Sequence, residues 1–216
     1  MRAAPAPWKK WFMHPAAKPL LFVLCLLPFA QLLYGAVFDT LGANPAEALI
    51  RATGDWTLRF LCVTLAVTPA RIVLGLPALA RFRRMLGLFV YFYATVHLLC
   101  YSVFDQGLDF AEIWRDIVER PFILVGMLAF AMLTALAATS PHRVLRWMGA
   151  RRWQWLHRSV YVVAGLALLH FFWMRAGKNN FNEVFVYAAI IALLLGWRLQ
   201  RALRKRWAAK PAEISR

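Results

Sequence analysis

Six long apolar blocks, separated by charged segments, constrain this chain more than any other feature. A helix that crosses the hydrocarbon layer of a bilayer needs about 20 apolar residues, and about 17 are tolerated. The second, fifth and sixth blocks are short, so we expect interfacial residues or bilayer thinning to complete them. The sequence predicts an all-α membrane protein with a bundle of six transmembrane helices. The blocks are Leu20–Phe38, Trp56–Ala70, Met85–Phe104, Phe122–Ala138, Ser159–Met174 and Val184–Trp197.

The basic residues predict how these helices are oriented. The net charge is +16 at pH 7, which in a soluble protein would suggest binding to nucleic acid. Here most basic residues lie in segments 1–19, 71–84, 139–158 and 198–216, which face one side if all six blocks cross. Cytoplasmic loops of membrane proteins carry such an excess. We therefore predict cytoplasmic termini and contact with a lipid bilayer, not with nucleic acid. The predicted parts are a basic leader 1–19, a transmembrane domain 20–200 and a basic tail 201–216.

Three histidines, His97, His157 and His170, lie in or beside apolar blocks. An imidazole in hydrocarbon is costly without a partner, so intramembrane histidines indicate functional sites. At 1.5 Å per residue, His97 and His170 lie about 10 and 6 Å inside the predicted outer boundary. Two imidazoles from different helices at nearly the same depth could bind the iron of a porphyrin from both sides, which suits electron transfer. Tyr93 and Tyr101, one turn either side of His97, are expected to form aromatic walls. A packed, hydrogen-bonded role is the alternative for each histidine.

His157 lies at the predicted inner end, 13 residues before His170. That spacing is about 20 Å along a helix axis, with the two side chains about 140° apart around it. The matching inner position of the third block holds Arg84 instead of a histidine. A second heme beside His157 would therefore have one histidine ligand and an unidentified partner. We expect His14 and His142 to be solvated.

Arginines near the histidines are candidate anion ligands. Arg84 and Arg152 lie near the inner end, and Arg59 and Arg175 near the outer end. Guanidinium groups suit both heme propionates and a flavin phosphate. Membrane topology by itself is the alternative explanation for much of the inner charge.

Short motifs that surround these residues occur in a fixed order along the chain. With the three histidines, they make the chain resemble the MsrQ (YedZ) family, the heme-binding membrane subunits of a bacterial methionine sulfoxide reductase system, within the wider ferric-reductase-like transmembrane group. The resemblance covers residues 20–200. The motifs are Leu41-Gly42-Ala43-Asn44-Pro45, Thr53-Gly54, Arg83-Arg84-Met85-Leu86-Gly87-Leu88, Arg120-Pro121, Arg152-Trp153-Gln154-Trp155-Leu156-His157, Tyr161, His170 and Trp173.

The resemblance implies one or two b-type hemes, with His97 and His170 as ligands and His157 at an inner heme or a site of electron input. It also implies FMN, with electrons from the quinone pool or a cytosolic flavin reductase. The implied partner is a periplasmic molybdopterin-containing methionine sulfoxide reductase that repairs oxidised periplasmic proteins. The chain would then be a multi-pass protein of the bacterial inner membrane, and an electron-transfer subunit instead of a stand-alone enzyme. Acidic residues of the outer loop could face this partner, or could simply be solvated: Asp105, Asp109, Glu112, Asp116 and Glu119.

Two other functions stay open at this point. A self-contained ferric or other metal reductase would use the same heme but needs an outer metal-docking site, and no Met-rich or His-rich outer segment exists. A metal or proton transporter would favour intramembrane carboxylates and broken helices, and the apolar blocks contain almost no acids. The sequence has no GxGxxG, P-loop or HExxH motif, so a nicotinamide domain is not expected.

Overall fold

The computed structural model describes residues 11–177 and 179–208, and in these ranges the chain is helical without any β-strand. A 3-10 turn, Pro77–Phe82, leads into the third helix, and a π-helical turn, Tyr101–Asp105, extends it. Residues 1–10 of the predicted leader and 209–216 of the predicted tail lie outside the described residues. The α-helices are α1 Ala17–Val37, α2 Pro45–Val73, α3 Arg83–Cys100, α4 Phe110–Glu119, α5 Pro121–Ala138, α6 His142–Met148, α7 Ala150–His157, α8 Val160–Ala176 and α9 Asn182–Ala208.

Six helical segments in the described ranges are long and apolar enough to cross a membrane, which confirms the predicted six-helix membrane protein. The second, fifth and sixth segments contain 29, 27 and 27 residues. Flanking residues therefore complete these segments, which agrees with the first of the two expectations. The fifth segment consists of α7 and the 17-residue α8, separated by a turn at residues 158–159. Helices α2 and α9 continue through the charged residues that flank their apolar blocks. For example, α9 has no break at residue 200, so residues 201–208 of the predicted tail are helical.

The early start of α2 follows from its local sequence. The side-chain oxygen of Asn44 accepts a hydrogen bond from the backbone N–H of Glu47 at 3.1 Å, and its Nδ2 lies 3.4 Å from Glu47 Oε2. An Asn cap, a proline at the first helical position and a glutamate at the third are typical of a helix start. As a result, Glu47 and Asp55 belong to a spanning helix. The expectation of almost no acids in the spans is wrong for α2.

Four helices form the centre of the bundle. The most extensive contacts join α2 to α3 and α5 to α8, and α3 also packs against α5. Helices α1 and α9 pack on the outside of this group. Leu61, Leu65, Val90 and Val163 are among its fully buried side chains. Following the predicted orientation, the end of the bundle that contains His97 and His170 is called the outer end, and the opposite end the inner end.

Tyr93 attaches α3 to α1. Its hydroxyl accepts a hydrogen bond from the N–H of Phe29 at 3.0 Å and donates one to the carbonyl of Cys25 at 2.8 Å. The hydroxyl thus lies between a donor and an acceptor that are four residues apart on α1. Pro28 lies between these two residues in the sequence and interrupts the backbone hydrogen bonds of the helix. The expectation that Tyr93 forms a wall beside His97 is wrong, because this side chain is directed at α1. Tyr101 does line the cavity of His97.

Arg198 connects α9 to α2 at a second proline. Because Pro69 has no N–H, the carbonyl of Leu65 lacks its usual helical donor. Arg198 Nη2 donates to this carbonyl, and Nη1 donates to the carbonyl of Leu194 at 3.2 Å. Its guanidinium carbon lies 5.6 Å from the ring centre of Tyr161. An unsatisfied backbone group is costly inside a membrane, so this contact stabilises the position of α9.

Candidate cofactor-binding site

A cavity of about 400 Å³ lies at the outer end, between α2, α3, α5 and α8. His97 and His170 face each other across it, with ring centres 6.2 Å apart and ring planes at 81°. A metal–imidazole bond is about 2 Å long and each nitrogen lies about 1 Å from its ring centre, so two coordinating rings have centres about 6 Å apart. The observed separation therefore fits one metal ion between two imidazoles.

Each imidazole is held by a backbone carbonyl of a neighbouring helix. His97 Nδ1 lies 2.8 Å from the carbonyl oxygen of Ile50 on α2, and His170 Nδ1 lies 2.6 Å from that of Phe122 on α5. A carbonyl only accepts hydrogen bonds, so Nδ1 carries the proton in both rings and Nε2 keeps its lone pair. Metal-binding histidines commonly donate their other N–H in this way. Both rings are in the tautomer that coordination through Nε2 requires.

Glycines give the two rings their space. A Cβ on Gly54 would lie 3.2 Å from Cε1 and Nδ1 of His97, and a Cβ on Gly126 would lie 2.9 Å from Nδ1 of His170. Each glycine lies one helical turn after the carbonyl that binds the same ring. Helices α2 and α5 therefore use the same arrangement, a carbonyl that orients the ring and a glycine that makes room for it.

The walls of this outer cavity combine apolar and charged groups. Leu61, Val90 and Leu133 form its deep end, whereas Arg51 and Arg120 are its guanidinium groups. A heme presents an apolar macrocycle and two carboxylates, and guanidinium binds carboxylate well. Two imidazoles with free Nε2 atoms, an apolar interior and two guanidinium groups fit that cofactor. The cavity also has carboxylates, from Glu47, Asp55 and Asp105.

The two arginines predicted for the outer end do not line this cavity. Arg59 Nε donates to the hydroxyl of Tyr187 at 3.2 Å, and its guanidinium carbon lies 4.7 Å from the ring centre of Trp56. Arg175 forms an ion pair with Glu183 at 2.5 Å. Both side chains therefore connect helices. The guanidinium groups that do line the cavity form ion pairs of their own, Arg51 with Glu47 and Arg120 with Asp116.

A second cavity of about 450 Å³ lies at the inner end, and Leu61, Val90 and Leu133 line both cavities. These three side chains therefore form the partition between the two spaces. The inner cavity contains Thr64, whose residue is 7% exposed and whose buried hydroxyl has no hydrogen-bond partner among the described residues. Buried polar groups are usually paired, so this hydroxyl fits a polar ligand in the inner cavity.

His157 lines the inner cavity but is engaged within the protein. Its ring stacks on Trp153 with ring centres 3.9 Å apart, and its Nε2 lies 3.2 Å from the hydroxyl oxygen of Thr139. That hydroxyl donates its own hydrogen to the carbonyl of Ala135 at 2.7 Å. Nε2 is therefore the donor to Thr139, and Nδ1 is the nitrogen of His157 that has a lone pair for a ligand.

Basic groups dominate the inner cavity. Arg84 lines it and donates from Nε to Ser140 Oγ at 3.0 Å. Arg152 is exposed and does not line it. Arg83 and Arg158 also line this cavity, as does His142, which is exposed as expected. No Asp or Glu among the described residues lines it, so the cavity suits an anionic group.

In residues 11–177 and 179–208 no three side chains of His, Cys, Asp or Glu come together to hold a metal ion. The pair His97 and His170 supplies two ligands, fewer than the four of a typical zinc site. A macrocycle would supply the other ligands of an iron ion. The geometry thus favours a prosthetic group over a bare metal ion in transit through the membrane.

Comparison with known proteins agrees with this geometry. Residues 53–169 match the family described as the ferric reductase like transmembrane component. Several relatives carry the name protein-methionine-sulfoxide reductase heme-binding subunit MsrQ. The one from Polaromonas naphthalenivorans is 69% identical over 199 residues, which are 92% of this chain and 91% of the relative. Those from Bordetella pertussis and Rhodospirillum rubrum are 51% and 47% identical, over 89% and 86% of this chain and 93% and 88% of their own lengths. No solved structure matches the chain.

Proposed function

Because this chain belongs to the ferric-reductase-like transmembrane family and, within it, to the MsrQ subunits, we propose that it transfers electrons across the membrane through a b-type heme held by His97 and His170. One observation carries this proposal: the two rings lie 6.2 Å apart across a cavity, and both have Nε2 free. His97 and His170 would hold the heme iron from both sides, and the group would then supply electron transfer.

The protein's part in this function is to hold and orient the ligands. The carbonyls of Ile50 and Phe122 fix the tautomer and the rotation of the two rings. The hydrogen bond that each ring donates from Nδ1 also raises the basicity of its Nε2. Arg51 and Arg120 are the propionate ligands in this proposal, in place of Arg59 and Arg175. Apolar side chains around the cavity exclude water, and such a shell tunes the reduction potential.

We assign electron input to the inner cavity. Its basic side chains suit the phosphate of FMN or the propionates of a second heme. The lone pair on His157 Nδ1 supports a ligand role for that residue, and Arg84 is the anion ligand that the sequence also indicated. Electrons would come from the quinone pool or from a cytosolic flavin reductase.

On the outer side, we propose delivery to a periplasmic molybdopterin-containing methionine sulfoxide reductase, which repairs oxidised periplasmic proteins. The relatives' name, the heme-binding subunit of a protein-methionine-sulfoxide reductase, supports this pairing. The protein would then lie in the bacterial inner membrane, with the outer cavity near the periplasm. In this arrangement the chain is one subunit of an oxidoreductase system and does not catalyse sulfoxide reduction by itself.

An absorption spectrum of the purified protein, with the heme content per polypeptide, tests the proposal. We expect sharp low-spin bands that intensify on reduction with dithionite. His97→Ala and His170→Ala should each lose this heme, whereas His14→Ala, a matched control at an exposed histidine, should retain it. Wild-type heme content and spectrum in both cavity variants would overturn the ligation.

A self-contained ferric reductase is the second candidate. The family description names ferric reductase, and Glu47, Asp55 and Asp105 line the outer cavity, where carboxylates could bind a ferric ion. Stopped-flow reoxidation of the reduced protein separates the two functions. Rapid oxidation by ferric citrate, suppressed in Asp105→Asn, would favour the ferric reductase. Rapid oxidation only by the sulfoxide reductase partner would favour the electron-transfer subunit.

A further inference from the structure

Helix α4 has one strongly apolar face that no part of the described chain covers. Phe110, Trp114 and Val118 follow one another at intervals of four residues and are 80%, 68% and 64% exposed. Residues at this spacing share one side of a helix. The charged residues Arg115 and Glu119 lie on another side at about 100° per residue. A helix with such a division is typical of the interface between a membrane and water.

The connections of α4 fix it at the outer boundary of the membrane. One candidate span ends at Asp105 and the next begins at Pro121. Four residues, 106–109, precede α4 and a single residue, Arg120, follows it. Connections this short cannot carry the helix away from the ends of the two spans, since a residue extends the chain by at most about 3.6 Å. The apolar face is therefore held at the depth where spans α3 and α5 meet the headgroups.

Exposed apolar side chains also lie just before α4 along the chain. Phe104 in the π-helical turn is 51% exposed, and Leu108 in the following loop is 53% exposed. Phe104 lies on a segment that is apolar enough to span the membrane, and spanning helices present such side chains to lipid. An apolar helix face held next to the ends of two spanning segments, with an exposed tryptophan at the boundary, favours lipid as the occupant.

The side of α4 that faces the protein is attached to the mouth of the outer cavity. Asp116 Oδ2 accepts hydrogen bonds from the hydroxyl of Tyr101 at 2.9 Å and from the amide of Gln106 at 2.7 Å. Asp116 Oδ1 lies 3.1 Å from Nε of Arg120. Tyr101 and Arg120 both line the outer cavity. Whatever fixes α4 in place therefore also fixes two side chains at the cavity mouth.

We propose that α4 lies in the plane of the outer membrane interface, with Phe110, Trp114 and Val118 inserted among the lipids, and so holds Asp116 against Tyr101 and Arg120 at the cavity mouth. The partner of this face is the lipid bilayer and not another protein. This inference depends on the membrane topology and is independent of which cofactor the outer cavity binds.

Site-specific fluorescence in liposomes of phosphatidylethanolamine and phosphatidylglycerol tests the inference. The full chain, with Cys25, Cys62 and Cys100 replaced by alanine, would carry a single new cysteine for an environment-sensitive label. Trp114→Cys places the label on the apolar face, and Arg115→Cys, the adjacent residue on the charged side, is the matched control. Val118→Cys and Glu119→Cys form a second pair, which keeps the test valid if one variant does not fold.

The expected result is blue-shifted emission at positions 114 and 118, and quenching by nitroxide-labelled lipids several-fold stronger than at positions 115 and 119. A water-soluble quencher should show the reverse order. Equal accessibility of all four labels to the water-soluble quencher would overturn the inference. Protection of positions 114 and 118 only after addition of the oxidised partner protein would also overturn it, because the face would then bind protein.

Discussion

The Cβ that Gly126 lacks would lie 2.9 Å from Nδ1 of His170. This nitrogen is the one that donates to the carbonyl of Phe122 at 2.6 Å, so the ring lies directly against the helix backbone. A side chain at position 126 would move the ring away from its carbonyl and would shift Nε2 in the cavity. The corresponding distance at Gly54 and His97 is 3.2 Å, so the contact at Gly126 is the tighter of the two.

Gly126→Ala should therefore lower the heme content and broaden or shift the low-spin absorption bands. Overpacking of this kind costs about 1–3 kcal/mol, enough to weaken axial ligation markedly. Gly54→Ala should have the same effect to a smaller degree. Gly165→Ala is the matched control, since, apart from its chain neighbours and the backbone of its own helix, no atom of residues 11–177 and 179–208 lies within 4 Å of its Cβ position. Heme content per polypeptide and the reduced spectrum are the measurements. Equal values for the variants at 126 and 165 would show that Gly126 does not position His170.

Arg198 and Pro69 should be energetically coupled through the carbonyl of Leu65. Arg198→Met removes the donor to this carbonyl, and an unsatisfied buried acceptor costs about 1–3 kcal/mol. In a Pro69→Ala background the new backbone N–H can serve Leu65, so the same change at Arg198 should cost less. Denaturant unfolding of the four proteins in detergent measures the coupling. Arg201→Met, at an exposed cation of α9, is the control. If the effects of Arg198→Met and Pro69→Ala on the free energy of unfolding are strictly additive, the two residues are not coupled through Leu65.

Asp116→Asn should open the mouth of the outer cavity. The change weakens the contacts with the Tyr101 hydroxyl and with Arg120, because hydrogen bonds to a charged group are stronger than those to a neutral one. We expect several-fold faster reduction of the bound heme by aqueous dithionite, at unchanged heme content. Glu119→Gln, an exposed carboxylate of the same helix, is the control. The same rate in both variants would mean that Asp116 does not control access.

The six spans and the pairing of His97 with His170 could be predicted because each depends on distance along a helix. Apolar length sets the number of spans, and the rise per residue sets the depth of each histidine. The partners of the rings could not be predicted in this way. The carbonyls of Ile50 and Phe122 become partners only through the packing of α2 on α3 and α5 on α8, and no local pattern encodes that packing.

Arg51 was not identified from the sequence, although the residues before it contain the pattern that places it on a spanning helix. Asn44, Pro45 and Glu47 together form a typical helix start, and they place Arg51 on α2, one turn before the cavity residue Asp55. The hydropathy pattern put the start of this span at Trp56 instead. Arg59, which was chosen from that pattern, lies on another side of α2 and binds Tyr187 of α9.

His157→Ala should spare the outer heme and slow its reduction from the inner side. The partition of Leu61, Val90 and Leu133 separates His157 from the outer cavity, so the change should not disturb the ligation there. Stopped-flow reduction by a flavin reductase, compared with direct reduction by dithionite, measures the effect. The slower rate should occur with the flavin reductase alone. Unchanged rates with both reductants would remove His157 from the pathway.

Arg84 and Arg152 offer the sharpest test of the inner cavity, because the sequence treated them alike and the structure separates them. Arg84 lines the cavity beside Ser140, whereas Arg152 is exposed outside it. Arg84→Gln should release FMN, or raise its dissociation constant, because a hydrogen bond to a charged group contributes about 1.5–3 kcal/mol, a factor of roughly 10 or more. Arg152→Gln removes the same charge at the same end of the bundle and should bind FMN as the wild-type protein does. Fluorescence of flavin extracted from the purified variants measures both outcomes. Equal loss in the two variants would indicate that general basic charge attracts the anion, and the inner cavity would then no longer be its binding site.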